Sequence, residues 1–516
     1  MNRSSILTFL SAAAILLLCG CKKFLEQRSQ DELTPTTIAS LNELMAKEGY
    51  PYIPSSSTAT DGYSICEYLN WFDDDVKLMN VTSQYTLVDY VKPFYAWSDN
   101  MYKESVAASS SWTPGGKNPY QSLYNRIRGC NVVLDMLPDV SGTQAEKDQL
   151  MGEALIMRAY YYFMLVNLYA WPYNDAVHDR NSSPGVPIIS TGAISDKLLA
   201  RNSVKEVYDF MVSDVEKGTA LLENNKLITT PYRINYRSGW LLASRIYLHM
   251  ENWDKVIDYT NKLISNYPIV ADLNTWKQPA YVNSNSATNA NFIDPANTEV
   301  LFLFGSVRSG DLQSLGTGST LALYSVLASD SLLNIYEADD MRCALYPKTS
   351  FFLNILSGWN MQSKVNLNGR AGRCFRMAEA YVNRAEAFAR KAVNGDDASL
   401  LQKALDDLNF LRVKRYKAGS AAAVVTPALL GNDPKKVLEF CKTERRREFC
   451  FEEFRWFDLR RYGMPAIVHA FNPNEPYVVN PALTVQKYTL PQAGNRYLMK
   501  IPDNIIEANP LVTQND

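Results

Sequence analysis

One stretch of this chain, residues 240–268, constrains the fold more than any other. It reads WLLASRIYLHMENWDKVIDYTNKLISNYP. The positions that match the tetratricopeptide pattern are Trp240, Ala243, Ser244, Tyr247, Val256, Thr260, Leu263 and Pro268. In that pattern a small residue lies where two antiparallel helices cross, and a proline ends the second helix. Leu, Gly, Ala and Phe of the pattern are replaced, so the stretch predicts one degenerate helical hairpin, with an unrelated hairpin as the alternative.

Most of the remaining chain also has helical periodicity. Apolar residues recur every three or four positions over residues 118–140, 144–172 and 203–223. Ser203 with Glu206 three residues later predicts a capping box at the start of the third segment. Residues 374–392 and 399–416 predict a second hairpin. Since no segment resembles a parallel-sheet strand, we predict a mainly α fold, in which EVLFLFG (299–305) forms a short strand or a buried extended piece.

Two long stretches lack this periodicity, at about residues 55–119 and 276–372. They are rich in Ser, Asn, Gly and Thr, which is typical of loops. Long irregular segments inside a compact domain usually have a function. The chain also holds 31 Tyr and 9 Trp, more ring surface than a core requires. We therefore expect a helical scaffold whose irregular insertions form a ligand-binding side.

The N-terminus has the features of a targeting signal. Arg3 supplies a positive charge, and the apolar run of 13 residues from Ile6 to Leu18 is shorter than the roughly 20 residues that span a bilayer. The LCGC that follows resembles the lipobox of bacterial lipoproteins, in which a peptidase cuts before the cysteine and acyl chains are attached to it. We predict a signal peptide over residues 1–20, lipid attachment at Cys21, and a single anchored domain over 21–516, with an ordinary signal peptide as the alternative.

Charge and composition argue against several function classes. The chain has 52 Lys and Arg against 54 Asp and Glu, so it carries no net basic charge that would attract nucleic acid. Its three histidines, His178, His249 and His469, are far apart, and the cysteines lack metal-site spacing. We expect no metal, no cofactor and no catalytic triad, and therefore a binding protein instead of an enzyme. The cysteine spacing leaves any disulfide pairing open.

Residues 444–463, ERRREFCFEEFRWFDLRRYG, combine charged and aromatic side chains. On one helix, Glu444, Glu448 and Glu452 would align, with arginines within reach. A glycosidase needs a carboxyl group with a raised pKa, whereas neighbouring arginines lower it. We therefore expect Arg–carboxylate pairs that fasten the scaffold. Aromatic side chains of this segment, such as Trp456, would face the core.

The segment WFDDDVK (71–77) places three carboxylates in a row. Such a run could indicate a calcium site, because Ca²⁺ prefers oxygen ligands. Three consecutive side chains are not expected to point at one ion. We predict a solvated turn, with a calcium site that uses one of these residues as the alternative.

Aromatic residues beside amides are the best candidates for ligand binding. Sugar rings pack their C–H faces on Trp or Tyr, and their hydroxyls need amides, carboxylates or Arg. The segment FYAWSDNMY (94–102) offers both groups. The predicted ligand-binding residues, for each of which core packing is the alternative, are Trp97, Asn100, Tyr102, Trp71, Trp276, Tyr324 and Trp359. We assign Trp240, Trp253 and Trp456 to the core.

Several segments resemble, in order, the SusD/RagB family of outer-membrane lipoproteins of Bacteroidetes. They are KKFLE after the lipobox, YNRIRGCNVVL, GEALIMRAYYYFMLVNLYAWP with GVPII, SRIYLHMENWDKVIDY, FRMAEAYVNRAEAF, ALDDLNFLRVKR, the 444–463 segment and IPDNIIEANPLVTQN. The resemblance implies a SusD-like, mainly α scaffold of tetratricopeptide-like hairpins. The chain departs from the family at Ala170, where Gly is usual, and over residues 276–372.

The resemblance also implies a function. Family members are lipoproteins that bind a nutrient, usually an oligosaccharide, and deliver it to a SusC-like TonB-dependent barrel in the outer membrane. It implies a lipid-anchored location that faces the cell exterior. A peptide receptor of the RagB branch and a glycan-cleaving lipoprotein are the alternatives. The loops that determine which ligand is bound contain no sequence motif that identifies it.

Overall fold

The computed structural model describes residues 34–51, 67–78, 85–108, 119–276, 292–305, 326–342, 373–395, 397, 399–472 and 484–515. These residues are mainly α-helical, as predicted. The helices are α1 (Ile38–Leu44), α2 (Tyr85–Tyr95), α3 (Met101–Ala108), α4 (Pro119–Met136), α5 (Gln144–Tyr169), α6 (Val204–Asn225), α7 (Tyr236–His249), α8 (Trp253–Asn266), α9 (Asp330–Leu333), α10 (Ala378–Val393), α11 (Ser399–Arg412), α12 (Pro434–Phe449), α13 (Arg455–Arg461) and α14 (Asp503–Ala508). Among the described helices, none has the length and apolar content needed to cross a membrane.

The described strands form three short antiparallel ladders. The pairs are β1 (Val76–Leu78) with β3 (Val326–Ala328), β2 (Val300–Phe304) with β4 (Arg373–Arg376), and β5 (Ile467–Phe471) with β6 (Gln486–Leu490). The predicted apolar segment at 299–305 is therefore a strand. Of the predicted site residues, Cys21, Tyr324 and Trp359 lie outside the described residues.

Helices α5 and α6 approach each other closely at two glycines. A Cβ atom on Gly152 would lie 2.8 Å from the carbonyl oxygen of Gly218, and one on Gly218 would lie 2.8 Å from the carbonyl oxygen of Gly152. Side chains at these positions would push the helices apart. The predicted capping box begins α6: the Glu206 N–H donates to Ser203 Oγ at 3.2 Å, and the Ser203 N–H donates to Glu206 Oε2 at 2.8 Å.

Both predicted hairpins are present. Helices α7 and α8 form the first, and α10 and α11 form the second. A buried ion pair joins the two hairpins, because Arg245 on α7 donates to both carboxylate oxygens of Glu379 on α10, each at 2.6 Å. Trp240 is buried as predicted, and Trp253 is half-buried on α8.

Residues 444–463 do not form one helix, which corrects the prediction. Helix α12 ends at Phe449 and α13 begins at Arg455. Between them Phe451 and Glu453 adopt left-handed backbone conformations, with φ of 63° and 67°. Because L-residues in this region do not continue an α-helix, Glu452 leaves the line of Glu444 and Glu448. The break turns Trp456 into the core, where it is 1% exposed.

Candidate functional site

Trp97, a predicted ligand-binding residue, is a core residue. Its side chain is inaccessible to solvent. The indole Nε1–H donates to the carbonyl oxygen of Phe72 at 3.0 Å, and the ring stacks on His469 with centroids 4.2 Å apart. A sugar needs an exposed ring face, so the prediction that Trp97 binds the ligand is wrong in this structure.

Trp71 also belongs to the core, and its prediction as a ligand-binding residue is wrong for the same reason. It is 4% exposed, and its ring centroid lies 5.7 Å from that of Phe94. The Phe94 ring also stacks on Phe72 at 6.0 Å. Trp71 and Trp97 therefore share one aromatic core, which the structure assembles from residues 71–72, residues 94–97 and the distant β5 strand.

The other described candidates are half-buried and remain proposals. Asn100 begins α3: its side-chain oxygen accepts the N–H of Lys103 at 3.2 Å, and its carbonyl oxygen accepts the N–H of Glu104 at 3.0 Å. Tyr102 packs partly against the core. Trp276 packs on Phe292 with ring centroids 5.0 Å apart.

A buried charge cluster joins α11, α12, strand β4 and Glu299, the residue before β2. Glu448 accepts hydrogen bonds from Arg342 at 2.9 Å, Arg376 at 2.5 Å and Arg415 at 2.9 Å. Glu444 accepts from Arg342 at 2.6 Å and also from Arg412. The members of this cluster are Glu299, Asp340, Arg342, Arg376, Arg412, Arg415, Glu444, Arg447, Glu448 and Glu452. The predicted Arg–carboxylate pairs are thus confirmed.

The chemistry of this charge cluster does not suit acid catalysis. Burial raises the pKa of Glu444, but Arg342, Arg412 and Arg447 outweigh it and lower the pKa to about 2. The pKa of Glu448 is held well below its usual range in the same way, by Arg415, Arg376 and Arg342 against the effect of burial. Both carboxylates are therefore ionised at neutral pH, whereas a general acid must carry a proton. Their role is to fasten the scaffold.

Two of the three carboxylates in the turn Asp73–Asp74–Asp75 are buried, so the prediction of a solvated turn is wrong. Asp73 and Asp75 are both fully inaccessible to solvent. Arg455 donates to both oxygens of Asp74 at 2.6 and 2.7 Å, and Arg446 donates to Asp75 Oδ1 at 2.6 Å. The 444–463 segment, about 370 residues away in sequence, therefore covers this turn.

His469 on β5 lies between two aromatic rings. Its ring centroid is 4.1 Å from that of Tyr95 and 4.2 Å from that of Trp97. Nδ1 lies 2.8 Å from the carbonyl oxygen of Tyr95, and Nε2 lies 2.9 Å from that of Asp73. Burial lowers the pKa of His469, against the effect of these two carbonyl groups. Sequence analysis missed this residue, because its partners lie more than 370 positions away.

A partly open cavity of about 30 Å³ is lined by residues of α5, β4 and residues 445–458. This volume holds about one or two water molecules, so the cavity is too small for a sugar ring. Each of its arginines is paired: Arg245 with Glu379, Arg373 with Glu453 at 2.6 Å, and Arg445 with Asp458 at 2.7 Å. The cavity charges are therefore already compensated within the scaffold.

Two protein-family models match this chain. One, described as starch-binding and associating with the outer membrane, matches residues 48–248. The other, described as the SusD family, matches residues 325–516. The chain is a member of the SusD family. Within this SusD-family chain, residues 249–324 lie between the two matches, and they contain Trp276 and Tyr324.

Solved structures of SusD proteins share the fold. A SusD-like carbohydrate-binding protein from Bacteroides vulgatus has 18% identity and a TM-score of 0.64, over 92% of this chain and 97% of that one. A SusD superfamily protein from Bacteroides thetaiotaomicron has 20% identity and a TM-score of 0.65, over 93% and 100% of the two chains. At these identities the likeness shows the fold alone. No curated protein sequence matches the chain.

Proposed function

We propose that this SusD-family protein is a lipoprotein on the cell surface that binds an oligosaccharide. It would deliver that ligand to a SusC-like TonB-dependent barrel in the outer membrane. The observation that carries the proposal is the pair of family matches, one of them to a family described as starch-binding and associating with the outer membrane. The LCGC motif supports lipid attachment at Cys21, with the mature domain running from residue 21 to 516.

A binding role also fits the chemistry of the described carboxylates. Hydrolysis of a glycosidic bond needs one protonated and one ionised carboxyl group on either side of the bond. Glu444 and Glu448, in the segment with the highest density of charge, have lowered pKa values and arginine partners. We therefore propose capture of the ligand without chemical change.

The candidate ligand-binding residues that remain are Tyr324, Trp359, Trp276, Asn100 and Tyr102. Tyr324 and Trp359 lie outside the described residues. We propose that these aromatic and amide side chains bind the ligand.

Calorimetry on the soluble chain that starts after Cys21 tests the proposal. The titrants are plant, host and microbial glycans and a peptide digest. We expect heat with one class of glycan, and an affinity lower by about fivefold or more in Trp359→Ala or Tyr324→Ala, since the stacking of one ring contributes about 1 kcal/mol or more. Trp253→Ala, a half-buried tryptophan on α8, is the matched control and should bind like wild type.

The other outcomes identify the alternatives. Heat only with peptides would make the protein a peptide receptor, and release of shorter sugars from a glycan would make it an enzyme. The anchor is tested in cells, where Cys21→Ala should release the protein from the membrane fraction. Cys19→Ala, two positions away inside the predicted signal, should leave it attached.

A further inference from the structure

The acidic turn, Asp73, Asp74 and Asp75, holds its three carboxylates close together. One oxygen of each lies within 4.8 Å of an oxygen of the other two. A calcium ion binds its oxygen ligands at about 2.3–2.6 Å, so two ligands on opposite sides of the ion are about 5 Å apart. Three oxygens at the observed separations can therefore contact one ion.

Two buried carboxylate oxygens of the acidic turn accept no hydrogen bond from the described residues. Asp73 Oδ1 accepts the N–H of Asp75 at 2.9 Å, and Asp75 Oδ1 accepts Arg446 Nε–H at 2.6 Å. Asp73 Oδ2 and Asp75 Oδ2 have no hydrogen-bond partner among the described residues, and both residues are 0% exposed. Unsatisfied buried carboxylate oxygens are rare, because burial removes the water that would otherwise solvate them.

The charges around the acidic turn do not balance. Three carboxylates face two guanidinium groups, those of Arg446 and Arg455. His469 contacts the turn through the carbonyl oxygen of Asp73 and not through a carboxylate. The carboxylates of the turn therefore outnumber the guanidinium groups that pair with them, which favours binding of a cation.

We propose that Asp73 and Asp75 bind a calcium ion through their Oδ2 atoms, with Asp74 at the entrance to the site. The Asp74 side chain is 25% exposed, which gives an ion and its water ligands a path from solvent. The ion supplies positive charge to the two unpartnered oxygens, while Arg446 on α12 and Arg455 on α13 hold the other oxygens of the turn. This site is independent of the proposed glycan binding.

Thermal unfolding and terbium luminescence test the calcium site on the soluble chain after dialysis against EDTA. For wild type, millimolar calcium chloride should raise Tm by a few degrees above that in potassium chloride of equal ionic strength, since a ligand that binds only the folded state stabilises it. Terbium should show luminescence sensitised by the nearby Trp71, and calcium should displace it. Asp73→Asn should abolish both effects. Asp330→Asn, an exposed carboxylate next to β3, is the matched control and should keep both.

Two results would overturn the calcium proposal. In the first, calcium does not change Tm, but Tm rises as the pH falls from neutrality. This would mean that a proton on Asp73 or His469 neutralises the turn. The other is an equal response to calcium in wild type and Asp73→Asn. If Asp73→Asn does not fold, elemental analysis of wild type purified in calcium decides: one bound ion per chain that EDTA removes supports the site, and none refutes it.

Discussion

Trp97 links three distant parts of the chain at the scale of a single residue. It follows the end of α2 with a φ of 49°, donates its indole N–H to Phe72, and stacks on His469 of β5. A left-handed backbone is uncommon for a large side chain, so these contacts must hold the residue in place. We therefore expect Trp97 to contribute to the stability of the fold.

We expect Trp97→Phe to destabilise the fold without a direct effect on ligand binding. The substitution removes the indole N–H that donates to the carbonyl oxygen of Phe72, and the loss of a buried hydrogen bond costs about 1–3 kcal/mol. Urea unfolding of the soluble chain measures the loss. Trp253→Phe on α8 should change stability less, because its ring is half-buried. A lower glycan affinity in Trp97→Phe with unchanged stability would return Trp97 to the ligand site.

At the scale of the element, local capping decides where the longest described helices begin. Thr143 and Glu146 form a capping box at the start of α5, as Ser203 and Glu206 do at the start of α6. Each box satisfies backbone N–H groups that have no partner within the helix. Since α5 and α6 meet at Gly152 and Gly218, the start of one helix also sets its register against the other.

We expect Ser203→Ala to lower the free energy of unfolding by about 0.5–2 kcal/mol, because the N–H of Glu206 loses its acceptor. Chemical denaturation of wild type and variant measures the difference. Ser213→Ala, at an exposed position in the middle of α6, is the control and should be neutral or slightly stabilising. Equal effects of the two substitutions would show that the capping box contributes nothing.

At the scale of the whole molecule, the buried charge cluster joins parts of the chain that are far apart in sequence. Glu299 next to β2, Arg376 on β4, Arg415 after α11 and Glu448 on α12 contact one another in a single network. Removing one partner would leave a buried charge uncompensated, which is strongly destabilising. The network therefore makes the hairpins and the strands depend on each other.

The cluster should make the fold sensitive to acid. The pKa of Glu444 is about 2 in the folded chain against an ordinary value of 4.5, so its contribution is complete above pH 4.5 and is lost as the pH falls toward 2. A shift of this size is worth on the order of 3 kcal/mol. Unfolding measured between neutral pH and pH 2 should show this loss.

Substitution of Glu444 measures how much this residue contributes to the loss of stability at low pH. Glu444→Gln should lower stability at neutral pH and flatten its decline below pH 4.5, because one protonation site is gone. Glu439→Gln removes an exposed carboxylate from the same helix and leaves the cluster intact, so it should keep the wild-type decline. An unchanged slope in Glu444→Gln would refute the assignment.

Local patterns in the sequence were sufficient to predict helices α4–α8, α10 and α11, both hairpins, the β2 segment, the capping box of α6 and the membership of the SusD family. These features depend on residues within about one or two helical turns of each other, or on motifs in a fixed order, so they can be read along the chain. The Arg–carboxylate pairs at 444–463 were predicted for the same reason, although their partners were not. The prediction of an irregular stretch at about 55–119 was wrong for α2 and α3, which lie within it.

Only the tertiary structure decided which charged and aromatic side chains are buried. Trp97 beside Asn100 has the composition of a sugar platform, and Asp73–Asp75 that of a solvated turn, yet both lie in the core because His469, Arg446 and Arg455 cover them. Those partners are more than 370 residues away, and no local pattern specifies which distant segment will pack over a turn. Burial is a property of the assembled chain, and so are the charge balance and the ligand chemistry that follow from it.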